Sequence, residues 1–456
     1  MKSAKLGSRG IHHAHRYGLR EGPGGKYAFL KKHTVRDTNW QELQPDAPFY
    51  LFAPQNIDLR KEYDRGWKIT DVMPVNGVGM TTARDHMVID FEAEPLIARA
   101  RQFRNFQGSD AQLCAALSIP MKMGWDIARS RRMMREESES HLPSYVRPIT
   151  YRPFDNRLIF YHDAVVWRTV KKIMRHMSAG KNVGMIFMRQ VALDEPYSHF
   201  CCTPYIIDNR AFYSNRGIMS LAPLYLYPLS AGESDDMFDR SGENRKMQTL
   251  TRRPNLAPKF LDDLTKRLRL VFVSDGQSDL KKTFGPEDVF HYAYGVFHSP
   301  AYRDRYAQFL KMDFPRLPLT GSLDLFRALA RLGGELVALH LLESPTLANP
   351  RTEFIGGRHP VVEKVSWSRQ AVWIDKAQTT GFRGVPEAVW SFHIGGYQVC
   401  EKWLKDRKGR ALVKDDIAHY HKIVIALSET IRLMAEIDKV IERHGGWPGA
   451  FSATPS

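Results

Sequence analysis

The heptapeptide YRPFDNR, residues 151–157, concentrates side chains that can address a polyanion or a base edge. Arg152 and Arg157 each present a planar fork of donors that fits a phosphate or the O6/N7 edge of guanine. Asn156 can pair with the N6/N7 edge of adenine. The same residues also read as a structural turn, in which Pro153 fixes a bend and Asp155 holds one arginine in a local ion pair. Residue types alone leave both readings open. Arg84 and Arg189 are two further forked donors and base-contact candidates. Lys171, Lys172 and Arg175, in RTVKKIMRHM (168–177), are the corresponding phosphate contacts.

Other stretches offer less chemistry. HIGGYQVCEKWLKDRKGR (393–410) sets a glycine pair before a probe-like run of cations, yet it lacks the Lys-Ser/Thr end of a phosphate-cradling loop. Tyr397, Cys400, Trp403 and Leu404 fall instead on one helical face, with Lys402, Lys405 and Lys408 elsewhere and Gly409 as a stop. An amphipathic helix with a basic outer face is the expectation. Asp279-Leu280-Lys281 is a fragment of a two-metal nuclease site without an upstream acid. His12, His13 and His15 have no second ligand group in view, so no metal site is expected. An adenine methyltransferase needs an Asn/Asp-Pro-Pro-aromatic loop, but Asn349-Pro350 runs into Arg351. No catalytic residue is assigned.

The 456 residues are 43% hydrophobic and 25% charged, ordinary values for a soluble globular chain with room for two or three domains. The sequence contains no run apolar and long enough for a membrane span, and no signal-peptide core follows the basic N-terminus. Cys114, Cys201, Cys202 and Cys400 form no C-x-x-C pair, which fits a reducing cytoplasm. Lys and Arg outnumber Asp and Glu 66 to 50, a net charge of +16. Such a surplus suits a polyanion, since counterion release supplies most nonspecific nucleic-acid affinity.

Periodicity predicts an α+β chain. Residues 1–45 read as a connector, 46–285 as a mixed-sheet α/β domain and 286–456 as a mainly helical one. Strands are expected at 49–54, 77–82, 87–90, 158–162, 183–189, 199–203 and 223–229, with a smaller pair at 362–367 and 371–374. Residues 230–255 are polar and read as a loop. The last helix is the clearest element: Ile417, Tyr420, Val424, Leu427, Ile431, Met434, Ile437 and Ile441 follow three-and-four spacing. Asp415-Asp416 start it, and Gly445-Gly446 with Pro448 end it.

Several stretches together resemble a known family. They are KYAFLKKH, WQELQP, MPVNGVG with TTARD (73–85), YRPFDNR, PLYLYP, YGVFHSPAYRDRYAQFLKMDFPRLPL (294–319), LGGELVALHLLE (332–343) and VWSFHIGGYQVCEKWLKDRKGR (389–410). Over about residues 10–443 the chain resembles the C-terminal specificity region of type ISP restriction–modification enzymes, which also carry nuclease, helicase and adenine methyltransferase modules. The resemblance implies a DNA target-recognition domain over 46–285, a helical bracing domain over 286–456, and a connector from the end of a methyltransferase-like region. It implies double-stranded DNA as ligand and a methyltransferase or helicase–nuclease partner chain. S-adenosylmethionine, ATP and Mg²⁺ belong to those partner modules, with no cofactor in this chain. The residues leave two alternatives: a methyltransferase or nuclease with an unrecognised site, and a fragment of a split restriction–modification gene.

Overall fold

The structure is a computed structural model that describes residues 10–45, 50, 52, 54, 56–119, 124–192, 195–214, 217–228 and 252–452. The strand expected at 49–54 and the loop expected at 230–255 fall largely outside those residues. The chain divides into two compact units, residues 1–62 and 63–456. In the first, strand Ile11–His13 pairs antiparallel with Gln41–Leu43, and no residue of helix Lys26–Lys32 is buried.

The second unit is α+β, with a helical C-terminal region. One four-stranded sheet is ordered Ile206–Ile207, Val146–Arg152, Asp155–Phe160, Ile89–Asp90. A second, antiparallel one runs Gly77–Val78, Met219–Pro223, Gly184–Met188, Phe200–Thr203. The last three of these are buried at every position, because both faces are covered and mostly apolar residues fill them, with Thr203 and Ser220 the polar exceptions. Helix Lys171–Ser178 lies against Met219–Pro223, and helices Pro286–His298 and Leu323–His340 lie against Phe200–Thr203. Phe200 stacks on Phe297 at 4.5 Å between ring centres, so the sheet half and the helical half share a core across position 285/286.

The two helices Pro286–His298 and Leu323–His340 touch backbone to backbone. A Cβ on Gly333 would stand 1.8 Å from the His291 carbonyl oxygen, and one on Gly295 would stand 2.7 Å from that of Leu329. This close approach accounts for the glycines of LGGELVALHLLE. Buried polar groups at the crossing are paired: Tyr294 Oη meets His340 Nδ1 at 2.5 Å, and His340 Nε2 meets Thr430 Oγ1 at 3.0 Å. Burial pushes the His340 imidazole down to about 3, which keeps it neutral.

Helix Lys414–Arg443 follows the predicted apolar stripe at Tyr420, Val424, Leu427, Ile437 and Ile441, all buried. Around its middle the burial widens to Ile423, Ile425 and Ala426, since several elements surround it there. The small strand pair predicted after residue 362 is present as Ser366–Ser368 with Ala371–Trp373. Gly381–Arg383 and Glu353–Ile355 extend it to four strands that are too short to show a period. MVID contributes a strand only at Ile89–Asp90, because Asp85–Val88 forms a helical turn. No helix among the described residues is long and apolar enough to cross a membrane.

Candidate nucleic-acid interface

Strands Val146–Arg152 and Asp155–Phe160 form a hairpin whose connection is Pro153-Phe154. Proline presets the first φ of so tight a turn, and Phe154 takes φ +62° at the second position. The register shifts between Thr150 and Arg152, an irregularity of the bulge kind that re-aims the side chains at the tip. Asp155 therefore points inward, and only 1% of it is exposed. Arg157 binds its Oδ2 through Nη2 at 2.6 Å and Nε at 3.0 Å. Arg407 donates from Nη2 to its Oδ1 at 3.0 Å. Burial pushes the Asp155 carboxyl up, but Arg407 and Arg157 outweigh it and hold the group below its ordinary value.

Arg407 comes from the other end of the sequence. Strand His393–Ile394 turns into Tyr397–Gln398 through Gly395 and Gly396, both with positive φ (+56° and +78°). A Cβ on Gly395 would stand 1.9 Å from the Phe212 ring, and one on Gly396 would stand 2.4 Å from the Tyr213 carbonyl oxygen. The glycine pair is thus packed against protein rather than open to a phosphate. Helix Val399–Lys405 follows, burying Val399, Cys400, Trp403 and Leu404. It starts two residues later than its apolar spacing suggests, because Tyr397 belongs to the hairpin. Lys402 pairs with Asp406, and Lys405 with Glu401 at 2.9 Å.

YRPFDNR and KWLKDRKGR therefore meet in one cluster. The Arg407 guanidinium lies 3.5 Å over the Trp403 ring, Arg157 lies 4.0 Å over Tyr151, and Arg410 lies 4.1 Å over Phe91. His419 Nε2 and the Phe154 carbonyl oxygen, 2.8 Å apart, tie the hairpin tip to the long helix. Arg152 sits beside this cluster, 3.6 Å from Asp208 and 3.9 Å over Tyr151. Burial raises the Asp208 carboxyl to about 6, with Arg152 only partly opposing it.

Arg84 is also interior. Its guanidinium lies 3.6 Å over Trp125 and 5.9 Å from Trp167, and it donates to the carbonyls of Thr82 and Val165 at 3.3 and 3.4 Å. Desolvation lowers it to about 10. Of the residues singled out from sequence, the structure brings Arg152 and Arg157 together and places Arg84 apart, in its own aromatic slot.

The remaining candidates lie outside. Asn156 is exposed: its Oδ1 accepts from Thr150 Oγ1 at 3.0 Å, and its amide nitrogen has no acceptor among the described residues. Lys171 and Lys172 are exposed at the start of helix Lys171–Ser178, with Lys171 paired to Asp163; Arg175 is half-buried. Arg189 is exposed and 3.4 Å from Asp313. Sequence reasoning missed Arg407 as the second counterion of Asp155. The available signal was a buried-type carboxylate in FDNR facing a cation inside a helix-ending DRKGR.

Residues 71–436 match the family model described as Type ISP C-terminal specificity domain. No curated protein matches the chain significantly. Solved structures with the same fold include a nuclease-deletion mutant of the Type ISP restriction–modification enzyme LlaGI in complex with a DNA substrate mimic. It is 17% identical with a TM-score of 0.60, over 90% of this chain and 37% of that one. A DrdV–DNA complex matches at 18% identity and a TM-score of 0.64, over 90% and 41% respectively. The ATP-dependent Type ISP enzyme LlaBIII bound to DNA matches at 15% identity and 0.61, over 91% and 26%. The present chain thus spans between about a quarter and two-fifths of these longer proteins.

Proposed function

Because this chain belongs to the Type ISP C-terminal specificity domain family, we propose that it selects the DNA sequence on which a restriction–modification system acts. The family match over residues 71–436 is the observation that carries this reading. The DNA complexes of LlaGI, DrdV and LlaBIII, whose fold it shares, support duplex DNA as the ligand. The methyl-transfer, motor and cleavage chemistry would come from a methyltransferase or helicase–nuclease partner, with the target adenine flipped into the partner's pocket.

In this reading the site residues divide by where their charge goes. Asn156 and Arg189 are exposed and would read base edges, and Lys171 and Lys172 would hold phosphates with Arg175 behind them. Arg152 and Arg157 would act mainly by shaping the hairpin that carries Asn156, and Arg84 by fixing the segment beside it. The experiment is selection of a preferred site from random duplexes, with a methyltransferase partner present where binding requires one. Binding is then measured on that site and on scrambled DNA. Asn156→Ala should lose roughly 5- to 150-fold on the preferred site and little on scrambled DNA, the value of one bidentate base contact. Equal binding of all duplexes by the wild-type chain would remove the recognition role.

A further inference from the structure

We infer that helix Ile127–Glu136 and the segment 164–172 together form a second track for the duplex backbone, built around the Arg84 slot. The inference rests on the DNA-recognition reading and extends it from Lys171 and Lys172 to Arg168 and to helix Ile127–Glu136, which that reading does not use. Helix Ile127–Glu136 has a divided surface: Ile127, Ser130 and Met134 are buried, and Arg129, Arg132 and Arg135 lie on the opposite side. Arg131, at the flank, is used internally, pairing with Asp110 at 2.6 Å and with the Phe106 carbonyl at 2.7 Å. Among the described residues, the Arg129 and Arg132 side chains have no hydrogen-bond or ion-pair partner.

Residues 164–181 contain five Lys or Arg and no Asp or Glu. The two basic segments adjoin at their beginnings. Trp125 Nε1 donates to the Ala164 carbonyl at 3.4 Å, and a Cβ on Gly124 would stand 3.1 Å from the Trp167 ring. Arg84, with Trp125 on one side and Trp167 further off on the other, fastens the junction from inside. Arg168, exposed beside the partly exposed Trp167, is held in place by paired backbone bonds to Thr81. Val170 then takes φ +50°, a conformation that a β-branched residue rarely adopts, and turns the chain into Lys171 and Lys172.

Arg129 and Arg132 thus begin about one helical turn from the junction on one side, and Arg168, Lys171 and Lys172 follow it on the other. Among the described residues, only Lys171 of these five has its charge answered, by Asp163. A run of uncompensated cations on two adjoining elements suits the evenly spaced phosphates of a duplex and carries no base preference.

The test compares Arg129→Gln/Arg132→Gln with Lys439→Gln/Arg443→Gln, which removes the same net charge from the far end of helix Lys414–Arg443. Duplex binding is titrated against salt for both and for the wild-type chain, and thermal melts confirm folding. The first variant should weaken binding to preferred and scrambled duplexes alike, roughly tenfold or more. Its log–log salt slope should be shallower by roughly 2, one counterion-release term per lost contact. The control should change neither. An unchanged slope in the first variant, or an equal change in the control, would overturn the track while leaving sequence recognition standing. A loss confined to the preferred site would make these arginines base readers and overturn it too. Absence of any duplex binding by the wild-type chain, with the methyltransferase partner present as in the selection above, would remove both the track and the reading beneath it.

Discussion

The arginines at the hairpin tip and those around the Arg84 slot differ in what answers their charge. Arg157 and Arg407 converge on Asp155, and the side chains of Arg407 and Asp155 are 5% and 1% exposed. Arg129, Arg132 and Arg168 point outward with no acid against them among the described residues. The first set is held by Asp155, with Asp406 3.6 Å from Arg157 and Asp416 3.6 Å from Arg407; the second has no such acids beside it among the described residues. A net charge of +16 is therefore a poor guide to which surface is basic, because several of the arginines around the 151–157 hairpin are internal.

The largest effect should follow from breaking the inner set. Asp155→Ala leaves two arginines facing each other in a buried site, and should destabilise the chain by about 3–5 kcal/mol. Arg407→Ala alone should also be costly, but in the double variant the second substitution should add less than it costs alone, since it removes one of the two charges that the first leaves without Asp155. Lys172→Ala, an exposed cation of the outer set, should change stability by under about 0.5 kcal/mol. Denaturant unfolding checks all of these. Additive losses for Asp155 and Arg407 would mean that they do not form a unit.

The same contrast explains what the sequence made legible. Long elements with a clean period, such as Lys414–Arg443 and the buried runs at 184–188 and 200–203, were readable because burial on one or both faces leaves a pattern in neighbouring residues. The α+β class follows from them. The hub around Asp155 was half legible. The local ion pair Asp155–Arg157 is written in YRPFDNR, but Arg407 lies 252 positions away, and nothing local marks an arginine as interior rather than exposed. Arg84 posed the same problem: Trp125 and Trp167, which cover it, are far off in the sequence. The strands expected at 77–82 and 87–90 shrink to 77–78 and 89–90, and that at 206–207 is not among those expected, because these two-residue strands exist through pairing with distant partners and carry no period that fixes their ends.

Within the stretch that supplies Arg407, a second pair of substitutions sharpens the comparison. Trp403→Ala removes a ring that is 2% exposed and that carries the Arg407 guanidinium, and should destabilise by about 3–5 kcal/mol. Part of that loss comes through Arg407 and so should shrink when Asp155 is already absent. Lys408→Ala, on the exposed side, should cost under about 0.5 kcal/mol. Thermal melts of Trp403→Ala, Lys408→Ala, Asp155→Ala and Asp155→Ala/Trp403→Ala beside the wild-type chain decide it; a larger loss from Lys408→Ala would mean the basic segment after helix Val399–Lys405, not the helix's apolar side, holds it in place.

An effect smaller than those at Asp155 and Trp403 separates two buried carboxylates by sign. Asp155 has its pKa depressed, so its contribution to stability is present above the ordinary carboxylate value and is lost as pH falls. Asp208 is the opposite case, because burial outweighs Arg152 and Arg210 and raises it from 3.8 to about 6. Between those values the folded chain holds a proton that the unfolded chain has released. Stability from this group is therefore full below pH 4 and declines as pH rises to about 6, by about 2 kcal/mol. Asp208→Asn cannot ionise and should lack that decline, so the stability of the wild-type chain relative to the variant should fall across pH 4–6 and then level off. Denaturant midpoints at half-unit pH steps would show it. A difference that stays constant across the window would mean that Arg152 compensates Asp208 as fully as Arg157 and Arg407 compensate Asp155, and the hairpin would then rest on two equivalent ion clusters instead of one.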